Sequence, residues 1–154
     1  MAILKYLARK HGLVSENAND QAKEDLIEAQ ILDIRNRLII AFYHKTFTTD
    51  AEFEAELEVI KEELAVWLSQ FESWIGSEQW LIGDKLSYVD FLAFEYFDWY
   101  RVLLQPNCFK QFPKMNSFMA RFAELPNLKD YLASDKFKKA HILSPYAKLG
   151  YRFE

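Results

Sequence analysis

The residue types that most often bind metals or act as nucleophiles are few and widely spaced in this chain. His11, His44 and His141 lie far apart, and none has a partner cysteine or aspartate at the spacing of a metal ligand. The single cysteine, Cys108, follows a Pro-Asn pair and has no base beside it. We therefore predict no metal site, a structural thiol and no internal disulfide, which suits a reducing compartment.

Ser87 and Asp90, in the stretch "LSYVDF", have a spacing with a clear physical meaning. A serine can cap a helix, and an acidic residue three positions later can accept a hydrogen bond from the backbone N–H of the cap. Asp90 could also be read as a catalytic acid. Capping explains the spacing fully, however, so we assign both residues to a folding motif.

The elements around these residues are predicted to be helices. Half of the 154 residues are hydrophobic (51%) and 16% are aromatic, with only four glycines and four prolines. From Phe53 to Trp74, large apolar residues recur at alternating steps of four and three, which is a helical period. The composition and the period predict an all-α domain with a well-developed core.

The helix boundaries follow from local signals. A first helix runs from the N-terminus to a stop at His11 and Gly12. A polar stretch precedes a second helix, capped by Asn19 or Asp20 and running to about Phe47. The remaining signals predict a third helix capped by Thr48 or Thr49 and ending before Gly76. They also predict a central buried helix from Ser87 to about Leu104, a helix near Pro113 and short terminal helices.

Charge and hydropathy narrow the possible partners. The net charge of −4 and the pI near 5.5 argue against a nucleic-acid surface. No apolar run approaches the roughly 20 residues of a membrane span. Lys5, Arg9 and Lys10 interrupt any apolar segment of a signal peptide. We predict no nucleic-acid partner, no membrane partner and a cytoplasmic location.

Four blocks of the sequence resemble the glutathione S-transferases, and the Mu class in particular. "WLIGDKLSYVDFLAFEYFD" contains the Gly-Asp-x-x-[ST]-x-x-Asp signature of the family's helical domain. "DLIEAQILDIRNRLIIAFYHKTF" and "CFKQFPKMNSFMARFAELPNLKDYLASDKF" resemble Mu-class helices before and after it. "AILKYLARKHGLV" resembles the last helix of the family's thioredoxin-like domain and the following linker.

The resemblance implies a fold, a domain division and a function. The fold is the all-α C-terminal helical bundle of a glutathione S-transferase. Residues 1–13 are the last helix of a truncated thioredoxin-like N-terminal domain, 14–24 a linker and 25–154 the helical domain. The function is conjugation of glutathione to hydrophobic electrophiles in detoxification, by a homodimer without a cofactor, glutathione being the co-substrate. Since the family's catalytic tyrosine and Gln-Ser pair precede "AILKYL", we expect this chain to be inactive alone. The alternative is a non-catalytic helical binding or dimerisation module.

The same resemblance assigns roles to individual residues. Tyr43 would hydrogen-bond an electrophile in the transition state, with Arg35 and Tyr146 also lining the substrate pocket. Asp33 would bind the amino group of glutathione held by the neighbouring subunit. The alternative for Asp33 is an ordinary helix pair with Arg37 at i+4.

Four charged residues would form ion pairs across the family's two-fold interface, namely Lys5, Arg9, Asp25 and Glu28. Lys5 stands where the family usually has an arginine, and a lysine cannot reproduce a bidentate fork. The alternative is that these residues are ordinary surface charges.

Overall fold

The computed structural model describes residues 1–43, 49–104, 106–138, 142–143 and 147, and the described part is helical. Its elements are α1 (Ala2–Lys10), α2 (Ala18–Tyr43), α3 (Asp50–Ile75), α4 (Tyr88–Leu103), α5 (Pro113–Ala123), α6 (Lys129–Ala133) and α7 (Asp135–Lys138). Within the described ranges the one strand-like contact is an isolated bridge between Trp80 and Gly83. The predicted all-α fold is confirmed.

Helix α4 forms the centre of the bundle, as predicted. It packs against α2 and α1, while α3 packs against α2 and α5. Phe97 of α4 meets Phe71 of α3 edge-on at 4.9 Å between ring centroids. On another side of α4, Phe94 stacks on Phe122 of α5 at 4.5 Å. Aromatic residues on two sides of one helix bury a large apolar area, which explains why so small a chain carries so many of them.

The starts of α3 and α4 follow the predicted local signals. Thr49 caps α3 in a reciprocal capping box with Glu52, and the helix ends at Gly76, which has a φ of +56°. Ser87 and Asp90 form the capping box at the start of α4. Pro113 is the first residue of α5, where its missing N–H is harmless.

The predicted start of α2 is wrong by two to three residues. The helix begins at Ala18, and the Asn17 side chain accepts a hydrogen bond from the Asp20 N–H at 2.9 Å. Asn17 therefore acts as the cap in place of Asn19 or Asp20, because its amide oxygen accepts from a free N–H of the first turn, that of Asp20. The predicted end of this helix, near Phe47, lies outside the described residues.

The connection between α1 and α2 is fastened to the bundle. The Tyr88 N–H donates to the Leu13 carbonyl at 2.9 Å. Glu24, which is fully buried on α2, accepts hydrogen bonds from both the backbone N–H and the hydroxyl of Ser15, at 2.9 and 2.8 Å. These contacts hold α1 at a fixed position beside α4.

In the described part of the chain, no helix is long and apolar enough to cross a membrane.

Candidate functional site

Helix α2 carries three of the four residues expected to bind substrate or glutathione, and it places them on different faces. Arg35, Ile39 and Tyr43 follow one another at steps of four, so they form one stripe along the helix. Asp33 lies two residues before Arg35, which turns it by about 200° to the opposite side. The helix thus separates the two predicted roles.

Arg35 lies beside two aromatic residues of α4, Tyr96 and Trp99, which we call the aromatic wall. Its guanidinium carbon lies 5.8 Å from the centroid of the Tyr96 ring, and one of its N–H groups donates to the Asn36 side chain at 3.0 Å. The Tyr96 ring meets the Trp99 ring edge-on at 4.9 Å, and the Trp99 indole N–H donates to Glu95 at 2.8 Å. Neither Tyr96 nor Trp99 was singled out from the sequence, because their relevance depends on the packing of α4 against α2.

Asp33 is exposed and has no partner within the described part of the chain. The alternative pairing with Arg37 at i+4 is not formed. Arg37 turns instead toward α3, where it donates to Glu63 at 2.7 Å and also to Glu56. The role of Asp33 toward glutathione stays a prediction.

Three of the four charges expected at a subunit interface contact one another within the single chain. The Lys5 ammonium lies 2.7 Å from the Glu28 carboxylate and 3.3 Å from that of Asp25. The Tyr88 hydroxyl donates to the same oxygen of Glu28 at 2.7 Å. The hydrogen bond to Glu28 raises the pKa of Lys5, and burial raises that of Tyr88, so Lys5 stays charged and the Tyr88 hydroxyl keeps its proton at neutral pH.

Arg9 is exposed and lines a small cavity of about 190 Å³ beside this network. Contact of Lys5, Arg9, Asp25 and Glu28 with a second subunit stays a prediction. The internal network nevertheless supplies a physical reason for burying Glu28, because a buried carboxylate needs a cation and hydrogen bonds to offset its desolvation.

Asp90 is fully buried. Its carboxylate accepts hydrogen bonds from the Leu81 N–H at 2.9 Å, the Ser87 N–H at 2.8 Å and the Ser87 hydroxyl at 3.2 Å. Burial nevertheless raises the pKa of Asp90 to about 6. The contact with Leu81 was not expected, and it extends the capping motif to the turn before the helix. These contacts support the folding role assigned to Ser87 and Asp90.

The remaining reactive residue types form no site among the described residues. Cys108 is a buried free thiol whose pKa is raised by burial to about 11, so it is protonated at neutral pH and a poor nucleophile. No group of three or more histidine, cysteine, aspartate or glutamate side chains in the described ranges could hold a metal ion. His44, His141 and Tyr146 lie outside the described residues.

Comparison with known proteins identifies one family. The family model described as "Glutathione S-transferase, C-terminal domain" matches residues 32–135. Glutathione S-transferase Mu 3 of Homo sapiens is 36% identical over 149 residues, covering 97% of this chain and 63% of the relative. Glutathione S-transferase B of Cavia porcellus is 37% identical over 147 residues, covering 95% of this chain and 64% of the relative.

Solved structures agree with the sequence relatives. The glutathione S-transferase Blo t 8 has a TM-score of 0.92 and 45% identity, covering 97% of this chain and 69% of that chain. A Pi-class glutathione S-transferase of Onchocerca volvulus has a TM-score of 0.81 and 26% identity, covering 96% of this chain and 69% of that chain. The chain thus spans slightly less than two thirds of the length of the curated relatives named above.

Proposed function

The chain belongs to the glutathione S-transferase family, and from that premise we propose that it supplies the helical, electrophile-binding half of a Mu-class-like glutathione transferase. The reaction is the conjugation of glutathione to hydrophobic electrophiles, in detoxification. The observation that carries the proposal is the similarity to Mu-class transferases along 97% of the chain. The half-exposed stripe of Arg35, Ile39 and Tyr43 on α2 supports it, because an electrophile needs an apolar surface with a few polar groups.

The proposed roles follow the resemblance residue by residue. The Tyr43 hydroxyl donates a hydrogen bond to the electrophile as negative charge develops in the transition state. Arg35 and Tyr146 line the same pocket. Asp33 binds the glutathione ammonium of the neighbouring subunit, and its exposure without a partner in the described ranges leaves the carboxylate accessible for this contact.

We further propose the domain division that the resemblance implies. Residues 1–13 end a thioredoxin-like domain, residues 14–24 form the linker and residues 25–154 form the helical domain. The relatives extend beyond the matched region by more than a third of their length, which leaves room for a glutathione-binding domain. The Cys108 thiol is free and buried, which supports a cytoplasmic location.

A homodimer is also part of the proposal. Leu26, Asp33 and Ile40 follow one another at steps of seven, so they lie along one exposed stripe of α2. The two apolar side chains of the stripe are each more than half exposed. A second subunit on this stripe would cover them and bring the partner's glutathione site to Asp33. The charges of Lys5, Arg9, Asp25 and Glu28 would lie at the same interface.

Turnover measurements test the function. We expect the purified chain alone to conjugate no glutathione to chlorodinitrobenzene, because the resemblance places the tyrosine that activates the thiol outside the region that these 154 residues match. The N-terminal domain of a Mu-class relative without its last helix, which residues 1–13 of this chain supply, joined ahead of Met1, should restore turnover. In the joined protein Tyr43→Phe should lower kcat by about tenfold or more, whereas Tyr131→Phe, an exposed tyrosine on α6, should not.

Each other outcome has a definite meaning. Turnover by the chain alone would contradict the proposed division of labour. A joined protein that folds and binds glutathione but has no turnover would favour the non-catalytic binding module. Equal turnover in the parent and the Tyr43→Phe variant would remove Tyr43 from the reaction.

A further inference from the structure

We propose that Arg35, positioned by Tyr96, selects elongated electrophiles that carry a carboxylate or sulfonate at the end far from the reacting carbon. This inference rests on the proposed function, in which Tyr43 lies at the reacting end of the substrate. It adds a substrate class and a positioning residue, Tyr96, to that function.

Arg35 forms no ion pair with a carboxylate in the described part of the chain, whereas other arginines do. Arg37 on the same helix donates to Glu63 and Glu56, and Arg101 on α4 pairs with Asp98. Arg35 has only the neutral Asn36 side chain as a hydrogen-bond acceptor within the same ranges. A guanidinium carries five N–H donors, so most of those on Arg35 are available to a ligand.

Tyr96 gives this cation a defined position. The guanidinium carbon lies 5.8 Å from the centroid of its ring, and the ring of Trp99, also on α4, packs edge-on against the Tyr96 ring. Glu95 directly precedes Tyr96 on α4, and its carboxylate accepts a hydrogen bond from the Trp99 indole N–H. A cation–π contact at this distance holds the guanidinium near the ring. The guanidinium is itself planar, and its N–H edge suits the two oxygens of a carboxylate or sulfonate.

The distance along α2 sets the shape of the ligand. Arg35 and Tyr43 are eight residues apart, which corresponds to a rise of about 12 Å. Ile39 lies one turn from each of them and is half-buried against the core. A ligand that contacts both ends therefore needs a long apolar body over Ile39 and an anionic group at Arg35.

Equilibrium binding to the purified 154-residue chain tests this inference without glutathione. Calorimetry would compare decanoate with decanol, which has the same length and no charge. We expect the chain to bind decanoate more tightly than decanol. Arg35→Gln should weaken decanoate binding about tenfold, as expected for a hydrogen bond to a charged group, and leave decanol binding unchanged.

Further variants separate the effect of the Arg35 charge from the effect of the Tyr96 ring. Arg35→Lys keeps the charge but loses the planar fork, so it should weaken decanoate binding less than Arg35→Gln does. Tyr96→Leu should reduce the preference for decanoate, whereas Tyr96→Phe keeps the ring and should retain it. Thermal melts would establish that each variant is folded.

Three results would overturn the inference. They are undiminished decanoate binding by folded Arg35→Gln, an equal loss of binding for both ligands, and no decanoate binding by the folded parent chain. Turnover of chlorodinitrobenzene by the joined protein does not require an anionic group on the substrate. The proposed function and this specificity therefore fail by different measurements.

Discussion

Asp90 combines deep burial with an ionisable carboxylate, and these two properties oppose each other. Its three hydrogen bonds favour the charged form, whereas the loss of water favours the neutral form. Burial has the larger effect, since the pKa of Asp90 is about 6 in the folded chain against an ordinary value of 3.8. The folded chain therefore holds this proton at a pH at which the unfolded chain has already released it.

The pKa of Asp90 predicts a direction for stability against pH. Between pH 3.8 and about 6 the folded state binds the Asp90 proton and the unfolded state does not, so this group's contribution to stability falls as pH rises. An asparagine at this position cannot titrate. We expect the unfolding free energy of the parent relative to Asp90→Asn to decrease by about 2–3 kcal/mol between pH 4 and pH 7.

Denaturant unfolding of both proteins at several pH values measures this difference. Other carboxylates titrate in the same window, and the comparison with Asp90→Asn removes their shared contribution. A difference that stays constant, or grows with rising pH, would contradict the pKa assignment. Unfolding slopes that agree between the two proteins would show that the comparison concerns stability alone.

At the scale of the helix, the Ser87 capping motif holds the start of the central element. Replacing Ser87 by alanine removes its hydroxyl from the buried Asp90 carboxylate while leaving the backbone contact in place. We expect Ser87→Ala to lower the unfolding free energy by about 1–2 kcal/mol. Thermal melting measures it, with Thr49→Ala at the exposed capping box of α3 as the matched comparison. Superimposable melts of Ser87→Ala and the parent would show that the Ser87 hydroxyl contributes nothing.

The contact between Ser15 and Glu24 predicts how firmly α1 is held. Glu24→Leu removes the acceptor of both the Ser15 N–H and its hydroxyl, and leaves these half-buried donors unpaired. We expect faster amide hydrogen exchange at Ser15 and along α1, with exchange in α4 unchanged. Glu16→Leu, at an exposed position beside Ser15, serves as the control. Unchanged protection of α1 in folded Glu24→Leu would show that other contacts, such as that of Leu13 with Tyr88, are sufficient.

The features that could be predicted from the sequence are those set by near neighbours. The start of α3 and its end at Gly76 depend on residues within one turn of each other. The sequence predicts the end and limits the cap to Thr48 or Thr49, of which Thr49 is the observed one. The cap of α2 was misplaced because Asn17, Asn19 and Asp20 are all good capping residues, and local preference alone does not choose among them.

Contacts between distant parts of the chain could not be predicted. Arg37 has an acidic residue one turn before it, yet it pairs with Glu56 and Glu63 because α3 lies alongside α2. Tyr88 and Glu28 are 60 residues apart, and only the packing of α4 on α2 joins them. For the same reason the sequence singled out Arg35 but not the aromatic wall on which it rests.

At the scale of the whole molecule, α1 and α2 carry large apolar side chains that the helical bundle leaves exposed. Ile3 and Leu7 on α1 are 77% and 44% exposed, and Leu26 and Ile40 on α2 are 56% and 54% exposed. Single exposed apolar residues are ordinary, but residues aligned along one helix form a surface that favours association. The matched relatives are longer than this chain, and a further domain and a second subunit would together cover these faces.

The stripe on α2 therefore predicts self-association of the isolated chain. Sedimentation velocity should show a species heavier than the monomer that grows with concentration, and Leu26→Glu combined with Ile40→Glu should return the chain to monomer. Val59→Glu combined with Val66→Glu is the control, because Val59 and Val66 are 45% and 59% exposed and lie seven residues apart along one face of α3. If association depended only on total exposed apolar area, both double variants would be monomeric. If α2 forms the interface, only the double variant on α2 should be monomeric. Its two new carboxylates would be buried at the interface opposite those of the second copy, and their repulsion would add to the loss of apolar contact. A parent chain that stays monomeric at every concentration would mean that the stripe does not associate in this chain.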